Sequence, residues 1–68
     1  MMKSIWNVKI HFVLKEGGEE SDTWDEYYVE AADDLAARGK AIKIIKTRYD
    51  GFVRVIYAEI EHKLDFED

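Results

Sequence analysis

A chain of 68 residues and 8.0 kDa holds one small domain, with no room for a second core or a catalytic lobe. At 47% hydrophobic and 13% aromatic residues it is too apolar for a disordered chain, and without cysteine it has neither disulfides nor thiolate zinc sites. Ten basic against 15 acidic residues give a net charge of −5, the wrong sign for a general nucleic-acid binder. No apolar run approaches the roughly 20 residues of a membrane span, and no signal-peptide core follows Met1-Met2-Lys3. The expectation is a compact cytoplasmic domain.

The charges are segregated along the chain. Residues 1–15 carry +3, residues 16–34 carry −9, residues 35–58 carry +5 and residues 59–68 carry −4. Such blocks make a molecule whose local fields differ from what its net charge implies.

The first predicted element is a strand over about residues 4–15. Trp6, Val8, Ile10, Phe12 and Leu14 alternate with Asn7, Lys9 and His11, the period of a half-buried strand. Gly17-Gly18 supplies a hairpin turn. The return strand, residues 23–31, has Tyr27, Val29 and Ala31 in one row and Trp24, Glu26, Tyr28 and Glu30 in the other. The row with the glutamates is expected to face solvent.

Asp33 or Asp34 then caps a helix over residues 33–49, accepting its free first-turn N–H groups. Leu35, Ala37, Ala41, Ile42, Ile44, Ile45 and Tyr49 form a broad apolar half, and Lys40, Lys43, Lys46 and Thr47 the opposite side. Gly39 marks a tight contact or a weak helix. Asp50-Gly51 should end the helix with a left-handed cap or a turn. A third strand covers residues 52–63, its phase ambiguous between the Val53, Val55, Tyr57 row and the Ile56, Ala58, Ile60 row; a bulge near Val55-Ile56, or partial cover of both faces, would resolve it. Residues 64–68 read as a frayed acidic tail.

The order strand, strand, helix, strand predicts a single small α+β domain. Its expected sheet is three-stranded and antiparallel, ordered 2-1-3, with one helix packed on one face. The other face then displays Asn7, Lys9 and His11, with Trp24, Glu26, Tyr28 and Glu30 beside them, and Tyr57, Glu59 and Glu61 if Ile56, Ala58 and Ile60 face the helix. Aromatic side chains exposed in this way mark a meeting surface.

Catalytic parts are missing. No nucleophile has a base and an orienting group around it, and the Gly17-Gly18 pair sits between acids that would repel a phosphate. An enzyme is not expected, nor a cofactor. His11 with Glu59 or Glu61 makes too thin a ligand set for zinc, so no metal is expected either. Lys40, Lys43 and Lys46 form the alternative, a basic ridge that could neutralise phosphates. The net charge and the acidic block oppose direct nucleic-acid binding.

The alternating first strand, the run Trp24-Asp25-Glu26-Tyr27-Tyr28-Val29-Glu30-Ala31, the alanine-rich helix and the final strand together resemble small phage-encoded proteins. Among these are anti-CRISPR proteins and inhibitors of host DNA-processing enzymes such as uracil-DNA glycosylase. The resemblance rests on architecture, size and acidity, and carries over no individual residue. It implies a non-enzymatic inhibitor in the host cytoplasm that blocks a nucleic-acid-handling protein with a basic groove. The residues expected to touch that partner are Trp24, Glu26, Tyr28 and Glu30, with Glu19, Glu20 and Asp22 steering from the hairpin end. The alternative from another class is a homodimer packed through the open sheet face.

Overall fold

The computed structural model describes residues 2–67. Strand β1 (Met2–Glu16) turns into β2 (Glu19–Ala31) through Gly17 and Gly18, at φ 59° and 84°. Positive φ at both central residues is what a two-residue hairpin matched to the strand twist demands, and glycine meets it without a Cβ clash. That turn pairs Glu16 with Glu19 and sets every pair down to Ser4–Ala31. The acidic stretch Glu19–Asp22 is therefore strand, four residues earlier than its composition suggests. A continuous partner strand outweighs its poor β propensity.

Helix α1 (Asp34–Arg48) crosses back and β3 (Phe52–Glu67) runs antiparallel to β1 on its other side, giving the order β2-β1-β3. Asp33 is the N-cap, its carboxylate accepting from the Ala36 N–H at 2.8 Å. The helix ends at Tyr49 in extended conformation, and Asp50-Gly51 follow as a turn without a left-handed residue. Gly51 is needed for another reason. Its carbonyl accepts from the Lys15 N–H at 2.7 Å, and a Cβ there would lie 2.2 Å from the Lys15 carbonyl oxygen.

Strand β3 slips register against β1 three times, leaving Val53, Ile56 and Lys63 as extra residues. The slip at Ile56 settles the phase. Val55 pairs with Phe12 on the helix side and Tyr57 with His11 on the other, so each row is correct on its own side of the bulge. The segment 64–67 is not a frayed tail. Leu64–Glu67 pairs with Met2–Ile5, because β1 starts early enough to offer a free edge there, and Asp65 accepts hydrogen bonds from the Ser4 hydroxyl and pairs with His62 at 2.8 Å. Asp68 lies outside the described residues.

The core is the even row of β1, Val8, Ile10, Phe12 and Leu14, closed by Val29, Ala31, Ala37, Ala41 and Ile45. The helix contact is narrower than its sequence suggests. Only Ala37, Ala41 and Ile45 are buried, while Leu35 is 77% and Ile44 39% exposed. Alanines let the helix sit close to the sheet along one stripe, and a sheet three strands wide offers no surface for a broader one. Gly39 faces open space, with no atom within 4 Å of a Cβ placed there. Gly39→Ala is therefore expected to raise stability by about 0.5–1 kcal/mol, while Gly51→Ala lowers it by more than about 1 kcal/mol, both read from urea midpoints.

Candidate functional site

Three strands bring the odd face of β1 and its partners into cross-strand rows. Trp24, His11 and Tyr57 form one row, Glu26, Lys9 and Glu59 the next, and Tyr28, Asn7 and Glu61 the third. The helix does not cover this face, since α1 packs on the even one; Asn7 and Val13 are buried among their cross-strand neighbours, while the outer-strand side chains stand open. Trp24 is 53%, Tyr57 54% and Tyr28 65% exposed. The Trp24 ring stacks on His11, centroids 4.7 Å apart and planes within 8°, and meets Tyr57 edge-on at 6.4 Å. The three rings make one continuous aromatic band across the sheet, a preferred offset geometry for such groups.

Charge on this face is banded. β1 contributes Lys3, Lys9 and Lys15 down the centre, and the outer strands contribute carboxylates on both sides. Lys3 pairs with Glu30 at 3.2 Å and Arg54 with Glu20 at 3.7 Å. His11 bonds Asp22 at 2.8 Å, and this hydrogen bond, followed by one from the Asp22 backbone, holds the Asp22 carboxyl below its ordinary range. Asn7, only 4% exposed, donates its amide to Glu26 Oε2 at 2.9 Å. A buried polar side chain so placed fixes the carboxylate it holds.

The expected contact residues divide accordingly. Trp24, Glu26, Tyr28 and Glu30 share the open face, together with Glu20 and Asp22 at the hairpin end, whereas Glu19 falls in the opposite row. His11 as an aromatic partner, and Glu59 and Glu61 as the second acidic column, were not among the expected contacts. The hairpin register alone would have found the first.

Lys40, Lys43 and Lys46 are all exposed on the helix, and two of them have contacts of their own. The Lys40 ammonium reaches the Glu30 carbonyl, while Lys46 lies 5.8 Å from the Phe52 ring centroid. Lys40, Lys43, Ile44, Thr47 and Arg48 line a groove of about 730 Å³ beside Val29. The outer edge of β2 is blunted by its neighbours: Lys40 satisfies the Glu30 carbonyl, and Asp25 Oδ1 accepts from the Glu26 N–H at 3.0 Å.

On the helix side, Asp25 Oδ2 accepts from the Tyr27 hydroxyl at 2.5 Å and the Tyr49 hydroxyl at 2.9 Å, with Arg48 at 3.9 Å. This ties β2 to the end of α1. Burial alone would raise the Asp25 pKa, but the hydrogen bonds from Tyr27, Tyr49 and the Glu26 N–H, with the Arg48 charge, together outweigh it and hold the carboxyl low. Burial, and then the bond to Asp25, push the Tyr27 hydroxyl up to about 12. Among the described residues, no group of three His, Cys, Asp or Glu side chains is placed to hold a metal ion, and no helix is long and apolar enough to cross a membrane.

No family model, curated protein or solved structure matches this chain.

Asp22, Asp25 and Asp65 all have pKa values lowered from 3.8 in the folded state. A lowered folded pKa contributes stability that is present above the unfolded value and lost as pH falls through the folded one. The urea midpoint should therefore be flat near neutrality and drop steadily below about pH 4. Asp25→Asn should reduce that drop. A tyrosine absorbance titration should show Tyr27 ionising late, at about 12, and earlier but still above the ordinary tyrosine value once Asp25 is replaced, because burial is the larger cause.

Proposed function

We propose that this chain is a non-enzymatic protein-interaction module that occupies a basic surface of a nucleic-acid-handling protein and inhibits it, acting in the cytoplasm. The observation that carries the reading is the aromatic band of Trp24, His11 and Tyr57, with Trp24 and Tyr57 exposed on either side of a half-buried His11 and bordered by carboxylate columns on a face its own helix leaves bare. Aromatic anchors inside a charged rim supply affinity, and the rim supplies steering. The acids at the hairpin end point the field toward a positively charged partner, and the resemblance to small phage inhibitors agrees with that sign. Stacking two copies face to face is the weaker reading. In an aligned stack, the lysine column of one copy meets that of the other, and the acidic columns meet likewise, which is repulsive.

Binding to a basic nucleic-acid-binding partner should be competed by duplex DNA. It should fall at least about ten-fold in Trp24→Ala/Tyr28→Ala, consistent with two lost anchors. Charge reversal at Glu19, Glu20 and Asp22 should slow association and leave dissociation nearly unchanged. The chain alone should not shift nucleic acid in a gel. Equal binding by the double variant, or a salt-sensitive gel shift abolished by Lys43→Glu, would overturn the proposal in favour of phosphate binding by the helix.

A further inference from the structure

We infer that the open face carries two guanidinium subsites, Trp24 with Glu26 on one side of Lys9 and Tyr57 with Glu59 on the other, which seat two arginines of one partner segment. The inference rests on the docking reading above and names the chemistry that the face recognises.

Two hollows flank Lys9. One, of about 450 Å³, is lined by Lys9, Trp24 and Glu26. The other, of about 410 Å³, includes Asn7, Tyr57, Glu59 and Glu61, and Lys9 lines it as well. Each combines the same two elements, an exposed aromatic ring and a carboxylate two residues away along the strand. Alternate residues on one strand face project from one surface about 6.8 Å apart, so ring and carboxylate can hold one group between them. A cation over a ring face with a carboxylate beside it is the complement of a guanidinium. The guanidinium is planar, stacks on aromatic faces and offers a fork of donors to a carboxylate. An ammonium can satisfy one of these contacts well, and both only poorly. Phosphates and carboxylate ligands are repelled by the same groups.

Two details of the structure favour occupation. Asn7 already orients the Glu26 carboxylate, so this oxygen pair is set before a ligand arrives. Among the described residues Lys9 makes no ion pair, so neither Glu26 nor Glu59 is spoken for by the cation between them. The hollows lie two strand spacings apart, about 10 Å. Arginines two or three residues apart on an extended segment, about 7–10 Å, span that distance. The segment would cross the strands over the aromatic band.

The test uses hexa-arginine and hexa-lysine peptides as probes, titrated into the full chain at about 150 mM salt while the two indole N–H resonances are followed by NMR. Hexa-arginine should shift the Trp24 resonance and leave Trp6 in place, with an affinity about five-fold or more above hexa-lysine. Glu26→Gln and Glu59→Gln should each reduce that preference, and Lys9→Gln should strengthen arginine binding. Equal affinity for the two peptides, or an arginine preference that survives Trp24→Ala and Glu26→Gln together, would overturn the inference. If the peptides bind equally while a partner protein still requires Trp24 and Tyr28, the guanidinium subsites fail and the docking face stands.

Discussion

A three-stranded sheet with a single helix can bury only one of its faces, and most of this molecule follows from that. The even row of β1 is apolar without exception from Trp6 to Leu14, and Val8, Ile10 and Phe12 are completely buried beneath α1. Burying side chains of this kind stabilises by about 1.5–3 kcal/mol each, in a domain whose whole margin is about 3–10 kcal/mol. Helix and sheet therefore cannot exchange faces. The odd face has no helix over it: Asn7 and Val13 are buried by neighbouring side chains, and Lys9 with the outer-strand aromatics is left for solvent or a partner.

The thinness of the helix contact sharpens this constraint. With Ala37, Ala41 and Ile45 as its only buried residues, α1 lies along a single stripe, about 22 Å long against a molecule 46 Å in its longest dimension. Its C-terminal end is held by more than apolar contact. Asp25 collects the hydroxyls of Tyr27 and Tyr49, so a carboxylate on the edge strand fastens the helix end to the sheet. Lys40 does similar work on the first half of the helix, bonding to the β2 backbone and closing part of its free edge at the same time. Edge and helix are secured, and the aromatic band is the large apolar feature that remains uncovered. That division is why the open face, and not the basic helix, bears the functional reading.

Much of this was legible in the sequence, and the exceptions have physical causes. Strict alternation in β1 and the two-glycine turn specify the hairpin and its register, and hence which side chains of β2 stand beside Lys9 and His11. The helix cap at Asp33 and the 2-1-3 order follow from capping chemistry and connection length. β3 was harder: its two competing apolar rows point to a bulge near Val55-Ile56, but no short-range signal places Val53 and Lys63 as further inserted residues. Charge misled twice. The acidic stretch at Glu19–Asp22 and the acidic end at Leu64–Glu67 are polar in composition, yet both are strands because β1 extends to meet them. The Asp25 bond to Tyr49 joins residues 24 apart and has no local signature at all. The helix stripe was overdrawn because periodicity reports which residues are apolar, and not how wide a surface awaits them.

The central claim is that the aromatic band is uncovered in the free protein. It is tested most directly by ¹⁹F NMR of the 5-fluorotryptophan-labelled chain, comparing the two indole signals in H₂O and D₂O over a range of concentrations. The account predicts a large solvent isotope shift at Trp24, a smaller one at Trp6, whose indole N–H is bonded to the Ala31 carbonyl at 3.0 Å, and no change of either with concentration. A Trp24 signal as protected as that of Trp6, or one that becomes protected as concentration rises, would contradict it.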